Sequence, residues 1–394
     1  MSRPASTRAS LIFLAITLLG FLAASSAPTP LYHLYQEQMQ FSPGVLTLIF
    51  GVYAFSLLAA LLTVGSLSDY LGRKPVIFVA LLLNMLAMLL FINADSIAWL
   101  IGARLIQGFA TGMATSVLGA ALLDFDRRQG PLITSVAPLL GMACGAFGCG
   151  MLAEFAPLPL QLTYWILLGL FLIQAIYLWF LAESVSPQPG AWRSLRPTLH
   201  VPIQARRALW LILPLNLVAW AVGGFYLSLA PSLVRAATGT TSNLIGGALV
   251  AVLTLTGALS IYTLRNQMAD KMLRLAASLL MVGLVLVLLA VHAASLPLFF
   301  VGTLVTGSGF GAGFLGALRS IMPLALPHER AGLMSAFYVL SYLAFSLPSL
   351  LAGSLTRVFG LIPTTDGYGA VLIVLSTVAL LGLSRQARPA PGLG

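Results

Sequence analysis

The stretch GSLSDYLGRKP, residues 65–75, sets Asp69, Arg73 and Lys74 between two long apolar runs, in a chain of which only 8% is Asp, Glu, Lys or Arg. Charge confined to a short turn, with apolar sequence on both sides, is what a chain needs to reverse direction at a membrane surface. A helix crossing a hydrocarbon core of about 30 Å takes roughly 20 mainly apolar residues, and such runs recur along all 394 residues. Hydrophobic residues make up 59% of the chain and mean hydropathy is +0.99. A soluble domain would carry about 25% charged residues. The chain therefore reads as a polytopic helical membrane protein. The alternating short segments of a transmembrane β-barrel are missing.

The 37 Gly and 22 Pro suit kinked, closely packed spans. Cys144 and Cys149, five apart in one apolar segment, fall on different sides of a helix. That spacing argues against a disulfide or a metal pair and for small packing residues. Arg3 and Arg8, followed by an apolar run ending AASSAP, resemble a secretory signal. The run is long for one, and Pro28 follows the would-be cleavage residue Ala27, so a retained first span is expected.

Apolar runs set against polar breaks give twelve spans, near 9–31, 44–68, 75–94, 97–122, 131–153 and 162–182, then 208–234, 241–264, 272–292, 296–320, 331–355 and 367–384. The longest polar interruption, 183–207, separates the sixth from the seventh. The expected fold class is all-α: twelve transmembrane helices in two pseudo-symmetric six-helix bundles, 1–182 and 208–394, joined by a cytoplasmic linker, 183–207. A faint internal echo supports two related halves: GFATG, 108–112, in span four and GFGAG, 309–313, in span ten.

Orientation follows from the Lys and Arg residues. With the N-terminus cytoplasmic, only Arg235 and Arg357 fall outside, and Arg104 lies within a span. The remaining cations, from Arg3 and Arg8 to Arg385 and Arg388, all fall inside. The net charge of +10 is thus a matter of topology, and no nucleic-acid partner is called for.

Asp69 reads as the cytoplasmic, C-terminal end of span two, where the helix dipole disfavours a negative charge. Arg73, four residues on, supplies compensation, and the positive end of a neighbouring helix is a second source. Gly65 leaves room for another helix to approach, Gly72 permits the reversal into span three, and Arg73 and Lys74 hold the loop inside. With Gly65, Leu67, Asp69, Gly72, Arg73 and Lys74 in order after the second of twelve spans, the element resembles the signature of the major facilitator superfamily. The resemblance covers essentially the whole chain and implies the major facilitator fold. It also implies a gate in which this loop makes charge–dipole contacts between the halves and stabilises the outward-facing conformer.

Two further stretches are similar to elements of that family. RLIQG places Arg104, Gln107 and Gly108 in span four, as in an R-x-x-Q-G element whose arginine is tied to proton coupling or substrate charge. GMACGAFGCG, 141–150, resembles the glycine-rich signature of helix five in drug/proton antiporters, with Ala146 where that signature has proline. Gly141, Gly145 and Gly148 read as its packing positions. The branch implied is the twelve-helix, drug/proton antiporter-like efflux proteins of bacteria.

A charged side chain in hydrocarbon costs at least about 2.5 kcal/mol, so Arg104 is the most informative single residue. Gln107, Thr111 and Thr115 follow it at helical spacing, a polar stripe expected to face the interior or a water-filled cavity. Span seven offers Asn216, Trp220 and Gly223 on one face, and span eleven Ser335, Tyr338, Tyr342 and Phe345. These aromatic bodies with polar tips suit an amphipathic ligand and equally fill helix interfaces. Pro28, Pro214 and Pro348 mark kinks. All ten acids fall at or beyond span ends, and Glu154 and Glu37 become coupling candidates if their helices run on.

The function expected is secondary active transport, not enzymatic chemistry: proton-coupled export of small amphipathic or hydrophobic molecules by alternating access. Two alternatives stay open: an importer or uniporter of a sugar, organic acid or other metabolite, and a lipid-handling or sensing membrane protein. The partners expected are a small-molecule substrate, protons and membrane lipid, with the chain monomeric in the bacterial cytoplasmic (inner) membrane and both termini cytoplasmic. The four His are scattered, no cofactor or metal site is indicated, and no G-x-x-x-x-G-K-[ST] run marks ATP as the direct energy source.

Overall fold

The computed structural model describes residues 7–386; Arg3 and Arg388, assigned to the cytoplasmic side above, lie outside them. Among the described residues the chain is helical, with no strand. Helix α1 (Thr7–Ser26) stops where Pro28 and Pro30 each remove a backbone donor. The chain turns through a 3₁₀ stretch, Thr29–Leu31, and resumes as α2 (Tyr32–Met39). The first apolar crossing therefore runs on to Met39, past the expected end at 31, and contains Glu37.

Helix α3 (Pro43–Thr63) ends before the charged turn. Asp69 sits in a separate single turn, α4 (Ser68–Leu71), and not at the C-terminal end of span two as the sequence suggested. Gly72, at φ +95°, makes the reversal into α5 (Arg73–Ile92). The first half is completed by α6 (Ile97–Phe125), α7 (Gly130–Phe155) and α8 (Leu162–Tyr177), and the linker holds one short turn, α9 (Ala191–Ser194).

The second half runs through α10 (Ile203–Ser228), α11 (Ala230–Thr238), α12 (Asn243–Leu264), α13 (Ala269–His292), α14 (Leu296–Ile321), α15 (Arg330–Phe359) and α16 (Leu361–Gln386). Among the described residues twelve helical stretches are long and apolar enough to cross a membrane, in the order the hydropathy gave. Two further boundaries move. Span seven stops at Ser228, leaving α11 as a separate helix, and span twelve begins at Leu361 instead of 367. Asp366 consequently lies within a helix, where its carboxylate meets His292 at 2.9 Å.

Two compact units result. The first runs through Thr198 and includes Leu227–Ser232 and Thr241–Ala251; the second takes Leu199–Tyr226, Leu233–Thr240 and the chain from Val252 onward. In the first, α1 packs on α6, α7 and α8. Gly141 and Gly145, one turn apart, bring α7 onto α1, since a Cβ at either would collide with the carbonyls of Leu19 and Ala23. Ser26 ties the same pair of helices by donating to the Met142 carbonyl at 2.8 Å. Gly148 does not join them: a Cβ there would meet nothing within 4 Å, because the register that pairs 141 with 19 and 145 with 23 runs into the break after Ser26. Gly150 is tight instead, against Asn243 and Leu244. Cys144 is exposed and Cys149 buried, on different sides of α7 as their spacing required.

Gly108 and Gly112 bring α6 onto α3 at the Tyr53 and Leu57 carbonyls, and in the second unit Gly307 and Gly311 bring α14 onto α12 at Leu253 and Gly257. The echo between spans four and ten is thus a shared packing device, set two residues upstream of the GFGAG alignment. Gly309 faces α13 at Leu280.

Two buried amides in the first unit, Asn84 on α5 and Gln174 on α8, have neither side-chain atom hydrogen-bonded. A buried polar group without a partner costs about 1–3 kcal/mol. Asn84→Leu is therefore expected to raise the melting temperature of the detergent-solubilised protein, and a lower one would show that the amide is satisfied and structural.

Candidate functional site

The charged turn is a closed network. Arg73 is buried, and its guanidinium donates to Asp69 at 2.5 Å, Asp124 at 2.9 Å and Ser68 at 2.7 Å. The sequence led to the Asp69 pair; Asp124, at the end of α6, it did not. Nor did it lead to Glu183, whose carboxylate accepts from the first backbone N–H groups of α5, Arg73 at 2.8 Å and Lys74 at 2.9 Å. The positive end of α5 is thus neutralised by Glu183, not by Asp69. Lys74 reaches the carbonyls of Leu181 and Trp179, at 2.8 and 3.3 Å. The start of the linker is sewn on too, by Gln188 N–H donating to the Tyr70 carbonyl at 2.8 Å. Gly65, in the turn after α3, is small because a Cβ would strike the Leu61 carbonyl in the last turn of that helix, with Ser116 of α6 beyond at 3.6 Å. A Cβ on Gly72 would crowd the Glu183 carboxylate at 3.0 Å. All of these partners belong to the first unit. In the loop after α6, Asp126 accepts from the backbone N–H of Gln129 and Arg128, which hold its carboxyl below the usual range.

Arg104 is 1% exposed. Its Nε donates to the Tyr32 hydroxyl at 3.1 Å, and Nη2 donates to the same oxygen. Nη1 donates to the Ser25 carbonyl at 2.8 Å and to Gln107 Oε1 at 2.7 Å. The guanidinium also lies over the Tyr53 ring, 4.8 Å from its centroid. Among the described residues no carboxylate pairs with it. Gln107, fully buried, donates to the Ala24 carbonyl at 2.9 Å. Ala24 is the residue whose in-helix donor would have been the N–H that Pro28 lacks. The R-x-x-Q pair on α6 thus supplies the backbone carbonyls at the break in α1, as side chains must where a helix is interrupted inside a membrane. Thr111 is buried with its hydroxyl turned back to the Gln107 carbonyl, and Thr115 repeats the pattern on Thr111.

Glu154, in the last turn of α7, accepts from the Asn243 N–H at 2.7 Å, at the start of α12. In the second unit the aromatic stripes of spans seven and eleven meet. Trp220 lies 5.0 Å from Tyr342, 6.0 Å from Phe345 and 6.2 Å from Phe314, centroid to centroid, and Tyr338 lies 6.2 Å from Tyr342. Asn216 donates to Ser341 at 3.0 Å beneath them. Phe314 and Phe337 of the cluster were not among the expected residues. The indole N–H of Trp220 is buried without a partner.

Twelve apolar crossings among the described residues, a broken first span clasped by an intramembrane arginine and a charge-stapled reversal between spans two and three define a multi-pass helical membrane protein. Residues 12–347 match the model of the Major Facilitator Superfamily, and the chain belongs to that family. Multidrug resistance protein MdtL of Salmonella heidelberg is 29% identical over 162 residues, 39% of this chain and 40% of that protein. MdtL of Klebsiella pneumoniae is 32% identical over 112 residues, 26% of this chain and 29% of that one. The chain thus matches two-fifths or less of the length of these relatives. Among solved structures, nucleoside transporter NupG superposes with a TM-score of 0.73 at 12% identity, over 96% of this chain and 100% of that one. The human organic anion transporter MFSD10 gives 0.68 at 19%, over 95% and 100%. These likenesses establish the fold.

Proposed function

We propose that this chain is a secondary active transporter that exports small amphipathic or hydrophobic molecules by alternating access, driven by protons moving inward. Its moving parts are the six-helix halves 1–182 and 208–394, joined through 183–207, with both termini cytoplasmic in a bacterial inner membrane. Membership of the superfamily and the multidrug resistance proteins among its relatives support this reading. The observation that carries it is the clasp at Arg104. A buried guanidinium that no acid among the described residues neutralises is costly in hydrocarbon, and here it holds the Ser25 carbonyl of a broken helix while its partner Gln107 holds that of Ala24. A break held by side chains can open and reclose without unfolding the helix on either side. The role assigned to Arg104 and Gln107 is to hold one state of α1 and release it in the other, with Asp69, Arg73 and Asp124 as the conformational staple. Cargo is assigned to the rings of Trp220, Tyr338, Tyr342 and Phe345.

Proteoliposomes loaded with a panel of lipophilic dyes are expected to move at least one of them in a manner set by an imposed pH gradient and abolished by a protonophore. No movement under either direction of the gradient would sink the reading. Trp220→Phe keeps a ring but removes the unpartnered N–H. It is expected to weaken the apparent affinity for a cargo bearing a hydrogen-bond acceptor about tenfold, the ~1.4 kcal/mol of one such bond. An unchanged affinity would remove Trp220 from the site. The uncompensated charge of Arg104 also favours a second reading, uptake of an organic anion. That reading replaces the first if Arg104→Ala abolishes binding of a carboxylate without changing coupling.

A further inference from the structure

Within the second unit, a cavity of about 650 Å³ lies between α10, α15 and α16. It belongs neither to the Arg104 clasp nor to the aromatic cluster. Helices α15 and α16 are joined by Gly360 alone, at φ +85°, so they run back to back, yet this space separates them. The floor is small and buried: Ala221 and Ala352 are each 1% exposed. A Cβ built on Gly367, which also lines the space, would meet nothing within 4 Å. The rim is the reverse, with Leu351, Phe359 and Val371 each about 60% exposed on spans that lie in hydrocarbon.

The chemistry of the walls selects the occupant. Both hydroxyls that line the space have committed their protons, Thr364 to the Gly360 carbonyl at 2.7 Å and Tyr368 to the Ala221 carbonyl at 2.8 Å. A polar ligand would be buried there with no donor to meet it, and an apolar cavity stays dry. Left empty, it forfeits the dispersion contacts of every wall atom. The volume falls in the ~300–1,000 Å³ range of small-molecule pockets. From Leu347 to Phe359 the wall of α15 rises about 18 Å at ~1.5 Å per residue, the dimension of an extended chain and not of a compact ligand. At its Phe359 end, Arg357 puts a cation in the last turn of α15, where the span meets the headgroups.

We infer that this groove holds one acyl chain of a phospholipid, inserted sideways from the bilayer between α15 and α16, with its phosphate at the Arg357 end. The occupant is a structural lipid wedge behind the helix that carries Tyr338 and Tyr342, and the inference stands whether or not the export reading does.

The test uses the full chain in vesicles of phosphatidylethanolamine and phosphatidylglycerol containing a phospholipid with a diazirine midway along one acyl chain. After irradiation, adducts mapped by mass spectrometry are expected to be enriched on 347–359 and 363–375 over the lipid-facing surface of α8. Gly367→Phe, which projects a ring into the open space, is expected to lose that enrichment. Uniform labelling of all lipid-facing helices in the wild-type chain overturns the inference without any variant. So does unchanged labelling in folded Gly367→Phe, or labelling by a free diazirine fatty acid but not by the phospholipid.

Discussion

Arg104→Ala is expected to lower transport below about a tenth of wild type and to reduce stability by about 2–4 kcal/mol. The loss follows from the groups that the substitution strands. The Ser25 carbonyl, the Tyr32 hydroxyl and Gln107 Oε1 each lose a donor, and a buried group left unpaired costs about 1–3 kcal/mol. Removing a buried charge offsets part of that sum. Arg104→Lys should fail almost as badly, because a point charge cannot replace a planar fork that grips one hydroxyl with two nitrogens. A sharper version uses Pro28. Gln107→Leu orphans the Ala24 carbonyl, whose helical donor Pro28 removed, so Pro28→Ala should restore part of the stability lost in Gln107→Leu. It should restore little in Arg104→Ala, where the stranded groups lie elsewhere. Thermal melts of the four variants with a transport assay decide the matter. If Arg104→Ala melts and transports like wild type, the clasp has no role.

The fold was largely legible because hydropathy is a local signal: each span announces itself by its own twenty or so residues. The break at Pro28 could be read the same way, as could the reversal at Gly72. What could not be read was which distant side chain meets the break. Arg104 lies 79 residues from Ser25, and nothing local to either says that they touch. The polar stripe on span four was expected to face the interior or a water-filled cavity, and Gln107 and Thr111 take the first course, packed and hydrogen-bonded. A polar residue facing inward satisfies a backbone as readily as it meets a ligand. Gly148 shows the same limit. It continues the spacing of Gly141 and Gly145, but the neighbour that makes those glycines necessary has stopped being a helix at that level. One signal was there to use. A helix that starts with Arg73 and Lys74 presents free N–H groups with no acid in its first turn, so an acid from elsewhere was owed, and Glu183 sits at the end of the neighbouring span.

The charged turn should separate stability from transport. Arg73 has a side chain only 10% exposed, against 30% for Asp124 and 55% for Asp69. Removing one partner of a buried pair costs about 3–5 kcal/mol, because it leaves the other charge uncompensated, while an exposed pair contributes about 0–1 kcal/mol. Stability losses are therefore expected to fall in the order Arg73→Ala, then Asp124→Asn, then Asp69→Asn, the last near zero in a melt. Transport should not follow that order if the turn is a gate. Asp69→Asn would remove the negative charge assigned to holding one conformer, and its transport should drop as far as that of Arg73→Ala while the protein stays folded. A double-mutant cycle between Asp69 and Arg73, read once by melting and once by transport rate, measures the two couplings separately. A small coupling in the melt with a large one in transport identifies a switch. Equal couplings in both would reduce the G-x-L-S-D-Y-x-G-R-K turn to a structural staple, and the asymmetry of burial between Asp69 and Asp124 would then be without consequence for the cycle.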